Sequence, residues 1–337
     1  MIKNEFIVLD HGTGAKLSQR LVELITETLD DVHIGKMEDA AVLKINSDRI
    51  AITTDSFVVT PLFFNNGDIG KISVCGTVND LAVMGATPKY ITLSLILEVG
   101  LPIVDLLKIV SSIRDCAREA NVKIVAGDTK VVNRGEVDKI FINTTGVGVF
   151  KRESLKMSNV VAGDKFILTG SLGNHSVHLL SMREGLGFES IVESDCAPLN
   201  GVIDKLLDSK FSDSIRSIRD VTRGGFAEIM HEYAQALNLN MKFSESDLPI
   251  QTETAMAAEM LGLEPIHLAN EGCLCIFVDG KKASEITEFL REFYYTKDSV
   301  VVGIVTNESG GDVLITKKDG TKQKLEQLEG AELPRLC

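Results

Sequence analysis

At 337 residues, with 44% hydrophobic and 25% charged residues, the chain has the length of about two globular domains and enough apolar material for their cores. Its formal net charge of -13, from 48 acidic and 35 basic residues, excludes nucleic acid and anionic membranes as main partners, because phosphate groups require a basic surface. A local metal or cationic site can still hold the phosphates of a nucleotide.

The first ten residues, MIKNEFIVLD, lack the uninterrupted apolar core of a signal peptide. The most apolar region, residues 91–110, is interrupted by Glu98, Asp105 and Lys108 and does not fit a membrane-spanning helix. We therefore expect no membrane partner and a cytoplasmic location, where disulfide bonds are rare.

Residues up to about 155 predict a mixture of helices and strands. Apolar residues at helical spacing predict a helix over 16–29. Asp68 has the character of an N-cap for a helix over 68–86. Pro102 begins a helix that reaches about residue 120, with Val104, Leu107, Val110 and Ile113 on one face. The predicted strands are 49–55, 88–97, 122–128 and 139–150, and the first and third end on an acid.

Near residue 155 a new pattern begins. GDKFILTGSLG (163–173) predicts a strand, a glycine turn and a helix, and SIRD (217–220) predicts a short strand that ends on an acid. TRGG follows and opens a helix over 225–237. A further helix fits 281–294, and further strands fit 273–278, 300–305 and 312–316. From Lys317 on, mixed charges with Gly320, Gly330 and Pro334 predict a mobile tail.

These elements predict a mixed α/β (α+β) chain. We place an N-terminal domain at 1–155, a C-terminal α/β domain at 156–316 and a mobile tail at 317–337. The tail ends on Cys337, and a soluble protein gains no structural benefit from an exposed terminal thiol. Cys337 is therefore either incidental or functional. The other cysteines, Cys75, Cys116, Cys196, Cys273 and Cys275, show no disulfide framework and are predicted to be buried.

Acidic residues recur at the ends of strands and the starts of helices. The acids in question are Asp39, Asp55, Asp80, Asp128 and Asp220. Carboxylates presented from several elements suit Mg²⁺, which takes a few carboxylates together with water and phosphate oxygens. Each acid taken alone could equally be a turn former or a helix cap. Five of them, each near Gly, Ser, Thr or Asn, favour a shared site for Mg²⁺ and a nucleotide.

The sequence contains no P-loop motif, but two glycine-rich segments precede predicted helices. HGTGAK (11–16) and TRGG (222–225) could present backbone amides to an anion, and Arg223 could bind phosphate. His175 and His178 have the spacing of a metal pair but no third ligand, so polar structural roles are favoured. Glu271, in ANEG before an apolar strand, is either a turn acid or a buried carboxylate with a function.

Several motifs occur together in the order of one known family. They are TDSFVV, GDIGK, CGTVNDLAVMGA, VAGDTKVVNRG, INTTGVG, RDVTRGG, LANEG and the terminal ELPRLC. The set resembles the HypE family of hydrogenase maturation proteins, within the superfamily of aminoimidazole ribonucleotide synthetase, selenophosphate synthetase and thiamine-monophosphate kinase. The resemblance spans nearly the whole chain.

The resemblance implies a two-domain aminoimidazole ribonucleotide synthetase-like fold, a homodimer formed by the N-terminal domains, and ATP with Mg²⁺ bound between the domains. It implies that a HypF-like carbamoyltransferase places a carbamoyl group on Cys337, and that the enzyme dehydrates it to a thiocyanate with ATP. The cyanide would then pass through a HypC–HypD-like scaffold complex to the iron of a [NiFe] hydrogenase.

The resemblance also assigns roles to individual residues. Asp39, Asp55, Asp80 and Asp128 match the metal–ATP acids, and Asn79, Thr129, Asp220 and Arg223 belong to the same nucleotide motifs. Glu271 and Lys130 are the candidates for handling the amide protons. A lysine among carboxylates normally stays charged, so Glu271 suits the base and Lys130 suits neutralisation of an oxyanion, although either could be the base. Arg335 would guide the tail toward an acidic opening.

Two other functions fit parts of the sequence. A small-molecule kinase or selenophosphate synthetase of the same superfamily would use ATP but would not need Cys337. Selenophosphate synthesis would also need a reactive cysteine in the glycine-rich N-terminal segment, whereas the first cysteine here is Cys75, inside a predicted helix. A non-catalytic carrier would use Cys337 but would give the five acids and Glu271 no function. Turnover of ATP distinguishes the carrier from the enzyme.

Overall fold

The structure, a computed structural model, describes residues 6–34, 40–308 and 310–328. The α-helices are α1 (Lys16–Leu29), α2 (Ile69–Val83), α3 (Ile103–Glu119), α4 (Asn174–Glu184), α5 (Asn200–Leu207), α6 (Gly225–Leu237), α7 (Thr252–Met260) and α8 (Ala283–Arg291). The strands are β1 (Ile50–Phe57), β2 (Phe63–Phe64), β3 (Gly67–Asp68), β4 (Ala86–Glu98), β5 (Lys123–Val132), β6 (Ile140–Phe150), β7 (Lys165–Leu168), β8 (Ile215–Asp220), β9 (Asn240–Ser244), β10 (Leu274–Val278), β11 (Val300–Thr306), β12 (Val313–Thr316) and β13 (Lys322–Lys324).

The first sheet has the strand order β1-β6-β4-β5. β6 pairs antiparallel with β1 and β4, and β4 pairs parallel with β5. One face packs on helices α1, α2 and α3 through Ile91, Leu93, Leu95 and other apolar residues of the N-terminal core. The opposite face carries half-buried or exposed apolar residues, with Ile50 44% and Ile52 64% exposed.

The second sheet has the order β13-β12-β9-β11-β7-β10-β8. Neighbouring strands in this sheet pair antiparallel, except that β9 and β12 pair parallel. One face packs on α6 through Phe226 and Tyr233, and the other packs on α5 and α8. All strands of the first sheet precede residue 155 and all strands of the second follow it, while the exact domain boundary stays a prediction.

Helix α2 connects the two parts of the molecule. Asp68 caps it as predicted, because its Oδ1 accepts hydrogen bonds from the backbone amides of Gly70 (2.7 Å) and Lys71 (2.9 Å). Apolar residues occur all around this helix because α3, the first sheet and α5 of the C-terminal domain surround it. Its last residues, Ala82 and Val83, belong to the core beneath α5.

Several predicted details were wrong. On α3, Val110 and Ile113 are buried as predicted, but Val104 is 59% exposed, and the buried face runs through Leu106 and Ile109 instead of Val104 and Leu107. β5 continues to Val132, so Asp128 lies within a strand rather than at its end. Part of the predicted mobile tail, residues 322–324, is a strand paired with β12. The sequence reasoning also missed α5, α7 and β9.

Candidate nucleotide site between the domains

Three of the predicted acids meet where the two domains touch. Asp55 comes from β1, Asp80 from the end of α2 and Asp220 from the last position of β8. Thr53 donates a hydrogen bond from its hydroxyl to Oδ2 of Asp80 at 2.8 Å, which fixes that carboxylate against β1. Gly76 leaves room for Asp55, because a Cβ at Gly76 would lie 3.2 Å from Asp55 Oδ2.

The three carboxylates are electrostatically coupled. Burial raises the pKa of Asp55, and the charge of Asp80 raises it further. Burial also raises the pKa of Asp80. The pKa of Asp220 rises to about 6, first because the carboxyl is buried and second because Asp80 is negative. A cation that entered this acid cluster (Asp55, Asp80 and Asp220) would relieve the repulsion.

Two arginines accompany the acid cluster. The charge of Arg223 lowers the pKa values of Asp55 and Asp80, and that of Arg219 lowers those of Asp80 and Asp220. Arg219 also forms an ion pair with Glu232 at 3.1 Å, and within the described residues its buried Nε has no hydrogen-bond partner. The sequence reasoning missed Arg219, although its position beside Asp220 at a strand end was the signal that could have revealed it.

The GDTK segment lies elsewhere. Asp128 and Lys130 are exposed on β5 and form an ion pair at 3.7 Å. Together with Thr129 they border a cavity of about 370 Å³ between β5 and α1. Gly12 and Gly14 of the HGTGAK loop also line this cavity, with Gly12 against Val131 of β5.

The register of the first sheet separates Asp128 from the acid cluster. Asp55 pairs with Thr144, Thr144 pairs with Leu93, and Leu93 pairs with Gly127. Asp55 thus shares a face with Gly127, and the next residue, Asp128, points to the opposite face because side chains alternate along a strand. Three strand spacings give a separation of about 14 Å between the two backbones. Of the predicted acids that the structure describes, Asp55, Asp80 and Asp220 therefore form one group in a single chain, and Asp128 lies apart from it.

The ANEG segment packs on the loop before α5. Asp195 accepts hydrogen bonds from the backbone amide of Glu271 at 3.0 Å and from Asn270 Nδ2 at 2.7 Å. Gly272 is required here, because a Cβ would lie 1.7 Å from the carbonyl oxygen of Asp195. Glu271 is only 6% exposed, and its charge acts on the neighbouring thiol of Cys196. The backbone amide of Asn270 donates to Val221 O at 2.8 Å, so ANEG runs beside the residue that follows Asp220.

Asn79 joins the domains through its side-chain amide. Its Nδ2 donates to Ala197 O at 3.0 Å, and its Oδ1 accepts from the backbone amide of Leu199 at 2.7 Å. Both groups of this buried amide are thus occupied by the C-terminal domain. The nucleotide role of Asn79 stays a prediction, and these bonds show that its side chain joins the two domains.

The histidine pair is also held by hydrogen bonds. His178 donates from Nδ1 to Val192 O at 2.7 Å and accepts at Nε2 from the backbone amide of Asn65 at 3.0 Å. His175 lies 2.8 Å from Ser194 Oγ through Nδ1, and burial lowers its pKa to about 3. Both side chains support structure, as predicted.

Three predicted residues lie outside the described residues: Asp39, Arg335 and Cys337. The other five cysteines are buried, which confirms that prediction. In residues 6–34, 40–308 and 310–328, no group of three or more His, Cys, Asp or Glu side chains is arranged to hold a metal by itself. In the same ranges, no helix is both long and apolar enough to cross a membrane.

Comparison with known proteins identifies the family. Residues 37–150 match the family model described as AIR synthase related protein, N-terminal domain, and residues 161–316 match the corresponding C-terminal domain. The carbamoyl dehydratase HypE of Escherichia coli strain K12 is 38% identical over 338 residues, 98% of this chain and 99% of that protein. The chain belongs to the HypE family.

Solved structures of HypE proteins agree with this fold. A crystal structure of hydrogenase maturation protein HypE in complex with ATP matches with a TM-score of 0.92 and 38% identity, covering 98% of this chain and 99% of that one. The HypE chain of a HypE–HypF complex matches with a TM-score of 0.79 and 40% identity, covering 93% and 100%. HypE membership confirms both the resemblance seen in the sequence and the predicted mixed α/β fold with two synthetase-like domains.

Proposed function

We propose that the chain is an ATP-dependent carbamoyl dehydratase that acts on its own Cys337 and supplies the cyanide ligand of [NiFe] hydrogenase. The observation that carries the proposal is the acid cluster with its two arginines at the contact between the domains. Several carboxylates beside two guanidinium groups provide for a metal and for phosphate oxygens together. The HypE relatives named as carbamoyl dehydratases, and the HypE structure with ATP, support the same activity.

The acid cluster suits Mg²⁺ in particular. Its carboxylates have raised pKa values because they are buried and because Asp80 repels Asp55 and Asp220, and the two arginines offset this only in part. Asp39 is the further acid that the family motif would add. Mg²⁺ prefers one or two carboxylates completed by water and phosphate, which fits a cluster that does not hold a metal by protein groups alone. When bound, the ion would neutralise charge on the phosphates of ATP.

The reaction balances with ATP as the acceptor of the oxygen. The carbonyl oxygen of the S-carbamoyl group attacks the γ-phosphorus, and ADP leaves. The C–O bond then breaks, inorganic phosphate departs with that oxygen, and both amide protons are lost as the C≡N bond forms. Arg219 and Arg223 are positioned to hold phosphate oxygens, and the low exposure of Glu271 keeps water from a carboxylate that could remove a proton.

The two proton-handling candidates differ in position. Glu271 belongs to the segment beside Val221, so it lies on the same contact between domains as the acid cluster. Lys130 lies on β5 and pairs with Asp128, away from that cluster within one chain. We therefore propose Glu271 as the base. Lys130, Asp128 and Thr129 would act on the nucleotide only if the partner subunit of a dimer supplied them.

A homodimer would account for the outer face of the first sheet. Polar residues such as Thr54, Asn143 and Thr145 lie on this face, and its apolar residues, all exposed or half-buried, are Ile50, Ile52, Tyr90, Ile96, Phe141, Val147 and Val149. Covering such a face with a second copy removes apolar area from water. We propose this contact, together with a HypF-like carbamoyltransferase that loads Cys337 and a HypC–HypD-like scaffold that receives the cyanide; the HypE–HypF crystal structure supports the first of these partners.

Mass spectrometry of the C-terminal peptide tests the function. The protein is incubated with carbamoyltransferase, carbamoyl phosphate and ATP, with and without Mg²⁺, and then digested. We expect a carbamoyl adduct on Cys337 that loses one water only when ATP is present. An adduct that persists with ATP would make the chain a carrier. No adduct on Cys337, combined with ATP turnover on a small molecule, would favour the kinase alternative. Cys337→Ser controls for modification elsewhere.

A further inference from the structure

The last described residues are attached to the C-terminal domain. After β13, the amide of Leu325 donates to Val313 O at 2.8 Å, and the Leu325 side chain is only 7% exposed within the core beneath α6. This segment continues the chain toward Cys337. Its attachment therefore determines where the last nine residues, 329–337, begin.

One face of α6 receives the segment. Gln327 donates from Nε2 to Glu228 at 3.0 Å and accepts at Oε1 from Gln235 at 3.2 Å. The carbonyl of Glu326 interacts with the His231 ring. Glu228, His231 and Gln235 are spaced by three and four residues, so they form one stripe on the helix.

The beginning of α6 is also part of the nucleotide site. Glu228 lies in its first turn, against Gly224 of TRGG, where a Cβ would lie 2.6 Å from Glu228 Cβ. Arg223 precedes that glycine and acts on Asp55 and Asp80. Gln327 is thus bonded to a side chain that packs on Gly224, the residue after the arginine proposed to hold phosphate.

We propose that Leu325 and Gln327 are positioning residues, an anchor that fixes the base of the catalytic C-terminal segment beside the ATP site. The inference rests on the proposed function, because it concerns how Cys337 reaches that site. Nine residues span at most about 30 Å when extended. The pairing of β13 with β12 and the anchor together remove residues 317–328 from the connection, so the local concentration of Cys337 at the site depends on 329–337 alone.

Two insertions of equal length distinguish this anchor from a C-terminal segment that is unattached after β12. A nine-residue Gly-Ser insertion after residue 328 doubles the free connection and should slow single-turnover dehydration in cis about three-fold, since effective concentration falls roughly as the −3/2 power of length. The same insertion in the turn 318–321, before the anchor, should leave the rate unchanged. With Leu325→Ala and Gln327→Ala present and no insertion, the connection begins after β13, which still pairs with β12, and lengthens from nine to thirteen residues, so the rate should fall about 1.7-fold. Gln323→Ala, on exposed β13, is the matched control.

A reaction in trans distinguishes anchoring from damage to the fold. A chain ending at residue 328 is given an S-carbamoylated peptide of residues 329–337 and ATP. The anchor variants should process this peptide at the rate of the unchanged truncated chain. Equal slowing by both insertions, or loss of the trans reaction in the anchor variants, would overturn the anchor. Failure of the unchanged protein to dehydrate in cis would instead contradict the proposed function.

Discussion

Asp55 and Asp128 lie within one residue of the same register across the first sheet, but their side chains point to its opposite faces. Strands β6 and β4 lie between their two strands. Asp55 belongs to the acid cluster on the inner face. Asp128 belongs to the outer face, which we propose as the dimer contact. If both acids serve one nucleotide, Asp128 must come from the partner subunit.

Mixing two inactive variants tests that arrangement. Asp55→Asn and Asp128→Asn should each lose more than about 100-fold in ATP-dependent dehydration, because each removes a charge from the site. The two variants are co-expressed, and the purified mixed dimers should recover about one half of wild-type activity, since each has one intact site and one doubly substituted site. Activity is measured on purified mixed dimers carrying two tags. No recovery would place both acids in one chain's site.

The dimer itself is tested at Ile52, which is 64% exposed on the outer face. Ile52→Asp places a charge in an apolar contact and should convert the dimer to a monomer, measured by light scattering after size exclusion. Val104→Asp, at an apolar residue on α3 that is 59% exposed, is the control and should leave the mass unchanged. A monomeric wild-type protein at micromolar concentration would contradict the proposal.

Asp220→Asn should increase stability at high pH while abolishing activity. The folded pKa of about 6 exceeds the ordinary 3.8, so the wild-type carboxyl destabilises the fold progressively as pH rises from about 4 to about 6. Asparagine does not ionise. The free energy of unfolding of the variant minus that of wild type should therefore be about 2–3 kcal/mol larger at pH 8 than at pH 4. Urea unfolding at both pH values measures this.

The exposed Asp298→Asn is the control for Asp220 and should show no such pH dependence. Adding ATP and Mg²⁺ should raise the unfolding midpoint of wild type but not of Asp220→Asn. A variant that is no more stable than wild type at pH 8 would mean that Asp220 already has a compensating partner.

Glu271→Gln keeps the shape of a buried side chain and removes its ability to accept a proton as a carboxylate. ATP binding should be retained, carbamoylated Cys337 should accumulate, and dehydration should fall by about 10²–10⁴-fold. The quantity to follow is the ratio of carbamoyl to cyano adduct in the C-terminal peptide. Glu264→Gln, at an exposed acid, should behave as wild type. Normal dehydration in Glu271→Gln would leave Lys130 as the base.

Asn79→Ala should weaken the contact between the domains. The substitution leaves the Ala197 carbonyl and the Leu199 amide without their partner, at a cost of about 2–4 kcal/mol in unfolding free energy. Asn79→Asp keeps the acceptor for Leu199 and should lose less. Chemical unfolding of both variants checks this order, and an equal loss would mean that the donated bond to Ala197 carries the whole effect.

Local signals in the sequence predicted much of the fold. The Asp68 cap and the strand that leads into Asp220 follow from residue types and spacing within a few positions. Periodicity did not determine which face of α3 is buried, because Val104 and Leu107 fit a helical pattern as well as Leu106 and Ile109 do.

The candidate site was harder to predict because it depends on pairing between distant segments. Asp128 and Asp55 have similar local sequences, and only the strand order shows that their side chains diverge. Asp195, which holds ANEG in place, has no recognisable motif around it. The attachment of Gln327 to α6 was also hidden, since a charged C-terminal sequence gives no sign of the helix on which it lies.

The burial of Cys75, Cys116, Cys196, Cys273 and Cys275 has a practical consequence. Burial raises the pKa of Cys75, Cys273 and Cys275, so those thiols stay protonated and shielded at neutral pH. The fold thereby shields these thiols from reagents in solution. A thiol-specific dye added to the native protein should leave these five thiols unlabelled, and six dyes per chain would be incorporated after unfolding. Any dye that the native protein takes up would therefore report on the sixth cysteine, Cys337, without removal of a native cysteine.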